Sequence, residues 1–122
     1  MMGWVYKVNS RSFYLNGTYT FSADYSGRPG YKDNSANECI KDKGPIPRGH
    51  YTIGEPFYHR KTGPWTMRLT PSASNHMCGR DSFMIHGESK QHPGEASDGC
   101  IVLALKYRKI ISASRNHSLT VE

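Results

Sequence analysis

Short apolar stretches separated by turn-forming residues make up most of the chain. Apolar and aromatic residues are interleaved with polar ones over 4–8 and 12–15, and again over 18–21. Asn16 and Gly17, between the second and third stretches, form the dipeptide that a two-residue hairpin turn prefers. This part of the chain is therefore predicted to form strands joined by tight turns.

The rest of the pattern continues in the same way and adds little helix. Further strands are predicted over 50–54, 65–70, 81–87, the apolar run 101–105 and 119–121, with a helix over 104–112 and one helical turn around 36–38. Turn-rich polar segments separate them at 26–30, 71–80 and 88–98. We expect a mainly β single domain over residues 1–122 with one or two short helices.

The composition agrees with a turn-rich globular domain and limits the classes of binding partner that we expect. The 122 residues are 36% hydrophobic and 21% charged, with 12 glycines and 7 prolines, which is enough chain for one core. The net charge of +6 favours acidic polymers, but no nucleic-acid motif accompanies the scattered basic residues. No apolar run reaches the roughly 18–20 residues of a membrane span. We therefore expect neither nucleic-acid binding nor membrane insertion.

The N-terminus lacks the basic-then-apolar layout of a secretory signal. Either a signal peptide has been removed, or export uses an apparatus that needs none.

The candidate chemistry lies around His86 and Cys100. His86 ends one predicted strand and Cys100 opens the next apolar run, with a 13-residue loop between them. A thiol attacks an amide as thiolate, and an adjacent imidazole takes its proton near neutral pH. Gly99 permits a tight turn that would direct N–H groups of residues 99 and 100 at an oxyanion. On spacing alone, a buried structural cysteine and an ordinary strand-end histidine are the commoner outcome.

Three motifs in one order resemble a known family. His86-Gly87, the loop, and then Ser-Asp-Gly-Cys-Ile at 97–101 resemble the signature of the YkuD-type L,D-transpeptidases, whose His and Cys act on peptidoglycan stem peptides. The run Gly-Pro-Ile-Pro-Arg-Gly-His-Tyr-Thr-Ile at 44–53 is similar to one just upstream in that superfamily. The segments 3–6, 15–17 and 25–27 resemble one branch, the L,D-transpeptidase-like effectors that type VI secretion systems deliver into rival bacteria.

The resemblance implies a YkuD-like fold, sandwich-like or barrel-like, and a reaction without cofactor or metal. Cys100 would be the nucleophile and His86 the base of an L,D-carboxypeptidase or L,D-transpeptidase acting on stem tetrapeptides. The branch implies a monomeric antibacterial toxin that acts in the periplasm of a target bacterium. Its partners would be the stem peptides, a secretion apparatus and a cognate immunity protein.

Two positions depart from the family pattern. Asp98 stands where relatives often have His, and Val102 stands where they usually carry an Arg or Asn that helps hold the substrate. Arg80 is the substitute that we expect in substrate binding, together with Gly87 and Asp98. Ser97 is expected either to hydrogen-bond the imidazole or the oxyanion, or to hold the turn. The group that orients the second imidazole nitrogen is either a backbone carbonyl or a side chain.

The other cysteines leave alternatives open. Cys39 and Cys78 are the natural disulfide pair in an oxidising compartment, and two ordinary buried thiols are the alternative. No paired ligand spacing supports a zinc site, for which the candidates are His76, Cys78, His86 and His92.

Other functions also remain open. A papain-like peptidase would pair Cys39 with His50 or His59, but no strong helix follows Cys39. A housekeeping L,D-transpeptidase and a non-catalytic peptidoglycan-binding module are the remaining alternatives.

Overall fold

The structure is a computed structural model that describes residues 3–122, so the first two residues of the predicted domain lie outside it. Its elements in chain order are β1 (Trp4–Lys7), β2 (Ser12–Leu15), β3 (Thr18–Ser22), β4 (Tyr25–Ser26), a 3-10 turn (Ser35–Asn37), β5 (Gly49–Ile53), β6 (Phe57–His59), β7 (Gly63–Pro71), β8 (Met84–His86), β9 (Ile101–Val102), α1 (Leu105–Ala113) and β10 (Ser118–Val121). The mainly β prediction is confirmed.

The strands form one mixed ten-stranded sheet. Their order is β3-β2-β1-β10-β5-β7-β8-β9-β4, and β6 pairs with β7 outside this path. The pairs β1–β10 and β8–β9 are parallel, and the other pairs are antiparallel. Parallel neighbours need a crossover connection. The loop between β8 and β9 is such a connection, and it carries most of the candidate site residues.

A continuous hydrophobic core holds β8 and β9 in place. Ile85 and Ile101 pair directly across the two strands, and both are fully buried together with Leu103. Burying such a side chain contributes about 1.5–3 kcal/mol, so the short strands depend on packing more than on their few ladder bonds. The apolar run 101–105 was predicted as one strand, but β9 ends at Val102 and α1 begins at Leu105.

Several local predictions are confirmed and two strands were missed. Asn16 and Gly17 have φ of 49° and 87° between β2 and β3, as a two-residue hairpin turn requires. The helix lies one residue later than predicted. Neither Tyr25–Ser26 nor Phe57–His59 is predicted as a separate strand, and Ser26 falls in the predicted turn at 26–30, because both segments are shorter than the pattern needed to recognise a strand.

Candidate active site

His86 and Cys100 lie on the same face of the sheet. In the parallel register Ile85 pairs with Ile101, so Cys100, one residue before, lies opposite Met84. Met84 and His86 are two residues apart on β8 and therefore point to the same face. Both His86 and Cys100 line one cleft with a volume of about 1300 Å³. The fold thus brings the predicted pair together at one opening.

His86 is buried and its ring is held in one orientation. Only 2% of the residue is exposed, and Nδ1 lies 2.8 Å from the carbonyl oxygen of Gly87. A carbonyl only accepts, so Nδ1 carries the proton and Nε2 is left unprotonated. Burial lowers the pKa of His86, the Gly87 carbonyl partly opposes this, and the charge of Arg108 lowers it further. The orienting group that the sequence left open is a backbone carbonyl.

Cys100 is the one free cysteine among the described residues and is partly exposed. Its Sγ lies 3.9 Å from the carbonyl oxygen of Ser82. Burial of the thiol raises the pKa of Cys100 to about 11, the N–H of Met84 opposes this, Asp98 adds to the rise and Arg80 lowers it. The directions of both pKa shifts favour a neutral thiol and a neutral imidazole, which line the same cleft.

The hydroxyl of Ser97 uses all its hydrogen-bonding positions on the backbone around Cys100. Its hydroxyl donates to the carbonyl of Cys100 at 2.6 Å and accepts from the N–H groups of Gly27 and Gly99, each at 3.0 Å. A hydroxyl has one donor and two acceptor positions, so nothing remains for the imidazole or an oxyanion. Of the two expectations for Ser97, the contacts fit the turn. They also engage the N–H of Gly99, which was expected to face the oxyanion.

Arg80 fixes the same loop from the other side. The residue is 7% exposed, and its guanidinium donates to the carbonyls of Glu38, Gly44, Pro45 and Asp98. These four bonds use every N–H of Nη1 and Nη2. Since no terminal donor is left for a substrate, we interpret Arg80 as a positioning residue for the Cys100 loop.

Gly99 makes this arrangement possible. Its φ is +143°, and a Cβ there would lie 2.6 Å from Nη2 of Arg80 and 2.7 Å from Cε1 of Phe83. The glycine therefore allows both the turn and the approach of the guanidinium.

The motif at 44–49 also supports the Cys100 loop. The carbonyls of Gly44 and Pro45 accept hydrogen bonds from the Arg80 guanidinium. The N–H of Ile46 donates to Ser26 Oγ, and this hydroxyl donates to the carbonyl of Gly99. The sequence contained the motif, but not the buried arginine that joins it to the loop.

Arg108 was missed as a site residue. It lies in α1, is 7% exposed, and donates from Nε to the Leu103 carbonyl and from Nη1 to the Pro64 and Trp65 carbonyls. A Cβ on Gly87 would lie 2.7 Å from its Nη2, which places this nitrogen directly beside the residue that follows His86. The sequence offered no signal for this, because Arg108 sits in a basic run that resembles a solvated helix face.

Asp98 and Gly87 line the cleft as well. The Asp98 carboxylate is exposed and forms an ion pair with Arg28 at 2.9 Å, while its carbonyl accepts from Arg80. Both side chains of the pair are well solvated, so its contribution to stability is small.

The loop between Glu88 and Ala96 has its own support. Tyr25 donates to Glu88 at 2.6 Å and accepts from the Ala96 N–H, and Glu88 also accepts from the Gly94 N–H. These hydrogen bonds fix the loop along one wall of the cleft. No sequence motif indicated them.

Cys39 and Cys78 form a disulfide, which resolves the alternative left by the sequence. Within residues 3–122, the one group of three potential metal ligands is Cys39, His76 and Cys78. The disulfide occupies both sulfur atoms of that group. His86 belongs to no such group in the described part of the chain. None of the helices there has the length and apolar character to cross a membrane.

Solved structures share this fold. L,D-transpeptidase 1 of Mycobacterium tuberculosis matches with a TM-score of 0.52 and 15% identity over 97% of this chain and 60% of that one. An L,D-transpeptidase from Mycobacterium smegmatis matches with a TM-score of 0.52 and 14% identity over 98% and 57%. The chain thus spans about three fifths of those proteins and has an L,D-transpeptidase-like fold. No curated protein sequence matches it.

The sequence places the chain more narrowly. The family model described as the Tlde1 domain matches residues 20–121, so the chain belongs to the Tlde1 domain family. The predicted family resemblance is confirmed.

Proposed function

We propose that this domain is a cysteine-dependent L,D-carboxypeptidase or L,D-transpeptidase that acts on peptidoglycan stem tetrapeptides. The observation that carries the proposal is the placement of Cys100 and His86 on one sheet face in one cleft, with Nδ1 of His86 fixed by the Gly87 carbonyl. Membership of the Tlde1 domain family and the L,D-transpeptidase-like fold support the substrate class.

The proposed reaction is acyl transfer in two steps. Nε2 of His86 takes the thiol proton as Sγ of Cys100 attacks the carbonyl of the third residue of the stem. The C–N bond breaks, His86 returns the proton to the leaving amine of D-Ala, and a thioester remains. Water then gives the shortened acid, or an amine gives an exchanged or cross-linked product, and the thiol is regenerated. Since the Gly99 N–H is bonded to Ser97, we assign oxyanion binding to the N–H of Cys100.

The biological role that we propose is that of an antibacterial effector. The resemblance of segments 3–6 and 25–27 to type VI secretion effectors supports delivery into the periplasm of a target bacterium, with a cognate immunity protein in the producer. The Cys39–Cys78 disulfide agrees with an oxidising site of action.

Cys100→Ala tests the proposal. Purified sacculi or a synthetic tetrapeptide are incubated with protein, and mass spectrometry follows loss of D-Ala or its exchange for an added D-amino acid. We expect wild type and the exposed rim variant Lys90→Ala to be active and Cys100→Ala to lose about 10⁴-fold or more. Turnover by Cys100→Ala would refute the mechanism. Binding of sacculi by wild type without any turnover would indicate the wall-binding module instead.

A further inference from the structure

The two terminal nitrogens of Arg108 differ in their use. Both N–H groups of Nη1 are taken by the Pro64 and Trp65 carbonyls, at 2.9 and 3.2 Å, and Nε donates to Leu103 at 2.9 Å. Nη2 donates to no group among residues 3–122, and its two N–H groups are left over. The helix, β7 and the end of β9 thus hold the guanidinium in one orientation with one nitrogen unused.

The unused nitrogen is not sealed from solvent, and it belongs to a residue that lines the cleft. The one fully buried polar side-chain atom without a partner in the described residues is the hydroxyl of Tyr6, so Nη2 of Arg108 keeps contact with solvent. Arg108 lines the cleft together with His86, Gly87 and Cys100. A largely buried cation that lines a cleft and keeps donors without a partner is suited to binding an anion, because its solvation is poor and its remaining donors are fixed.

We propose that Nη2 of Arg108 binds the C-terminal carboxylate of the residue that is cleaved from the stem peptide. This inference rests on the proposed function. His86 must lie beside the leaving nitrogen, and Nη2 lies beside Gly87, the next residue. In an amino acid the carboxylate carbon is only about 2.5 Å from the nitrogen. A leaving residue whose amine meets His86 therefore directs its carboxylate towards Arg108.

The consequence is a specificity for free chain ends. Peptides whose fourth residue ends in a carboxylate are preferred, and those whose fourth residue is joined onward through an amide are poor substrates. The arginine then restricts the enzyme to trimming or exchanging the end of a stem, and excludes cleavage at the same bond inside a cross-link. Gly87 contributes because any side chain there would meet Nη2.

The test compares two synthetic tetrapeptides, one with a C-terminal carboxylate and one with a carboxamide. For wild type we expect kcat/KM to be about 10- to 100-fold lower for the amide, mainly through KM, as for loss of a hydrogen bond to a charged group. Arg108→Gln should lower the value for the acid to that for the amide and leave the amide almost unchanged. Lys61→Ala, an exposed cation on the cleft rim, should keep the wild-type preference.

Two results would overturn the inference: equal use of acid and amide by wild type, or an undiminished acid preference in folded Arg108→Gln. If Arg108→Gln does not fold, Gly87→Ala takes its place, because its side chain would displace Nη2 and should reduce the preference for the acid. Binding to Cys100→Ala protein by calorimetry provides a readout without turnover, in which the acid should bind about 10- to 100-fold more tightly. Turnover of neither peptide with that binding preference intact would refute the proposed function and leave the carboxylate site standing.

Discussion

The two sides of the candidate site are built from the same pair of residue types and use them differently. On the side of Cys100, the proposed nucleophile, Gly99 packs against Arg80. On the side of His86, the proposed base, Gly87 packs against Arg108. We call these the nucleophile side and the base side. Both arginines are 7% exposed, but Arg80 has no terminal N–H left, whereas Arg108 keeps one nitrogen unused. A buried cation whose terminal donors are all taken by backbone carbonyls has a structural role, and we call it a structural lock. One with donors left over and open to a cleft is equipped for a ligand.

After the loss expected for Cys100→Ala, the largest effect that we expect is on the base side. His86→Gln removes the proton acceptor while keeping a side chain able to hydrogen-bond, so kcat should fall about 10²- to 10⁴-fold with little change in melting temperature. His59→Gln is the matched control, because His59 also lines the cleft but its Nδ1 accepts from the N–H groups of Lys61 and Thr62. An equal loss of kcat in both variants would contradict the role of His86 as the base.

The next effect concerns the nucleophile side. Cys78 lies two residues before Arg80, and its disulfide with Cys39 closes a separation of 39 residues. Removing it in Cys39→Ser/Cys78→Ser should cost about 3–4 kcal/mol of unfolding free energy, since the unfolded chain gains freedom. Urea unfolding with and without reductant measures this, and the double variant should not respond to reductant. Equal stability of the oxidised and reduced wild type would show that Arg80 is positioned without the disulfide.

The two glycines give a direct contrast of intermediate size. Gly99→Ala introduces a side chain at φ +143° and against a locked guanidinium, so we expect a loss of about 2–4 kcal/mol. Gly87 has an ordinary φ, so Gly87→Ala should cost less stability and should instead raise KM for the free-acid tetrapeptide by displacing Nη2 of Arg108. Urea denaturation and steady-state kinetics separate the two. If both variants lost the same unfolding free energy and Gly87→Ala left KM for the free acid unchanged, the distinction between the structural role of Arg80 and the ligand-binding role of Arg108 would be wrong.

The sequence predicted this site unevenly, and the reason is physical. The location of His86 and Cys100 on one face of the sheet was predictable because strand pattern and motif order place them at neighbouring strand ends. The hairpin at Asn16 and Gly17 and the helix after Ala104 were predictable because their signals are local. These features depend on residues close together in the chain.

What escaped prediction depends on contacts between distant residues. Arg80 was expected to bind substrate. Its guanidinium instead donates to the carbonyls of Glu38, Gly44 and Pro45, which lie 35 to 42 residues away along the chain. Arg108 is engaged by carbonyls 43 and 44 residues away, so its basic neighbourhood on α1 gave no indication of burial. A charged side chain reveals its role only when its partners are known.

The last effects that we expect concern the titration of His86 and Cys100, and the contribution of Asp98 is the smallest of them. Burial lowers the pKa of His86, so the acid limb of kcat/KM should lie below the ordinary value of 6.5 for histidine. Burial raises the pKa of Cys100 to about 11, so its alkylation by iodoacetamide should accelerate about tenfold per pH unit between 7 and 10. Cys100→Ala should not react, because the other cysteines are in the disulfide.

Burial is the main cause of the raised pKa of Cys100. The charge of Asp98 raises this pKa further, and the charge of Arg80 lowers it. Asp98→Asn should therefore shift the alkylation profile slightly towards lower pH, with the matched variant Asp81→Asn leaving it in place. A flat profile from acid to neutral pH in wild type would instead indicate a preformed thiolate–imidazolium pair. In that case the nucleophile side would act as more than a structural lock, because Arg80 would be stabilising the charge of the thiolate as well as the position of its loop.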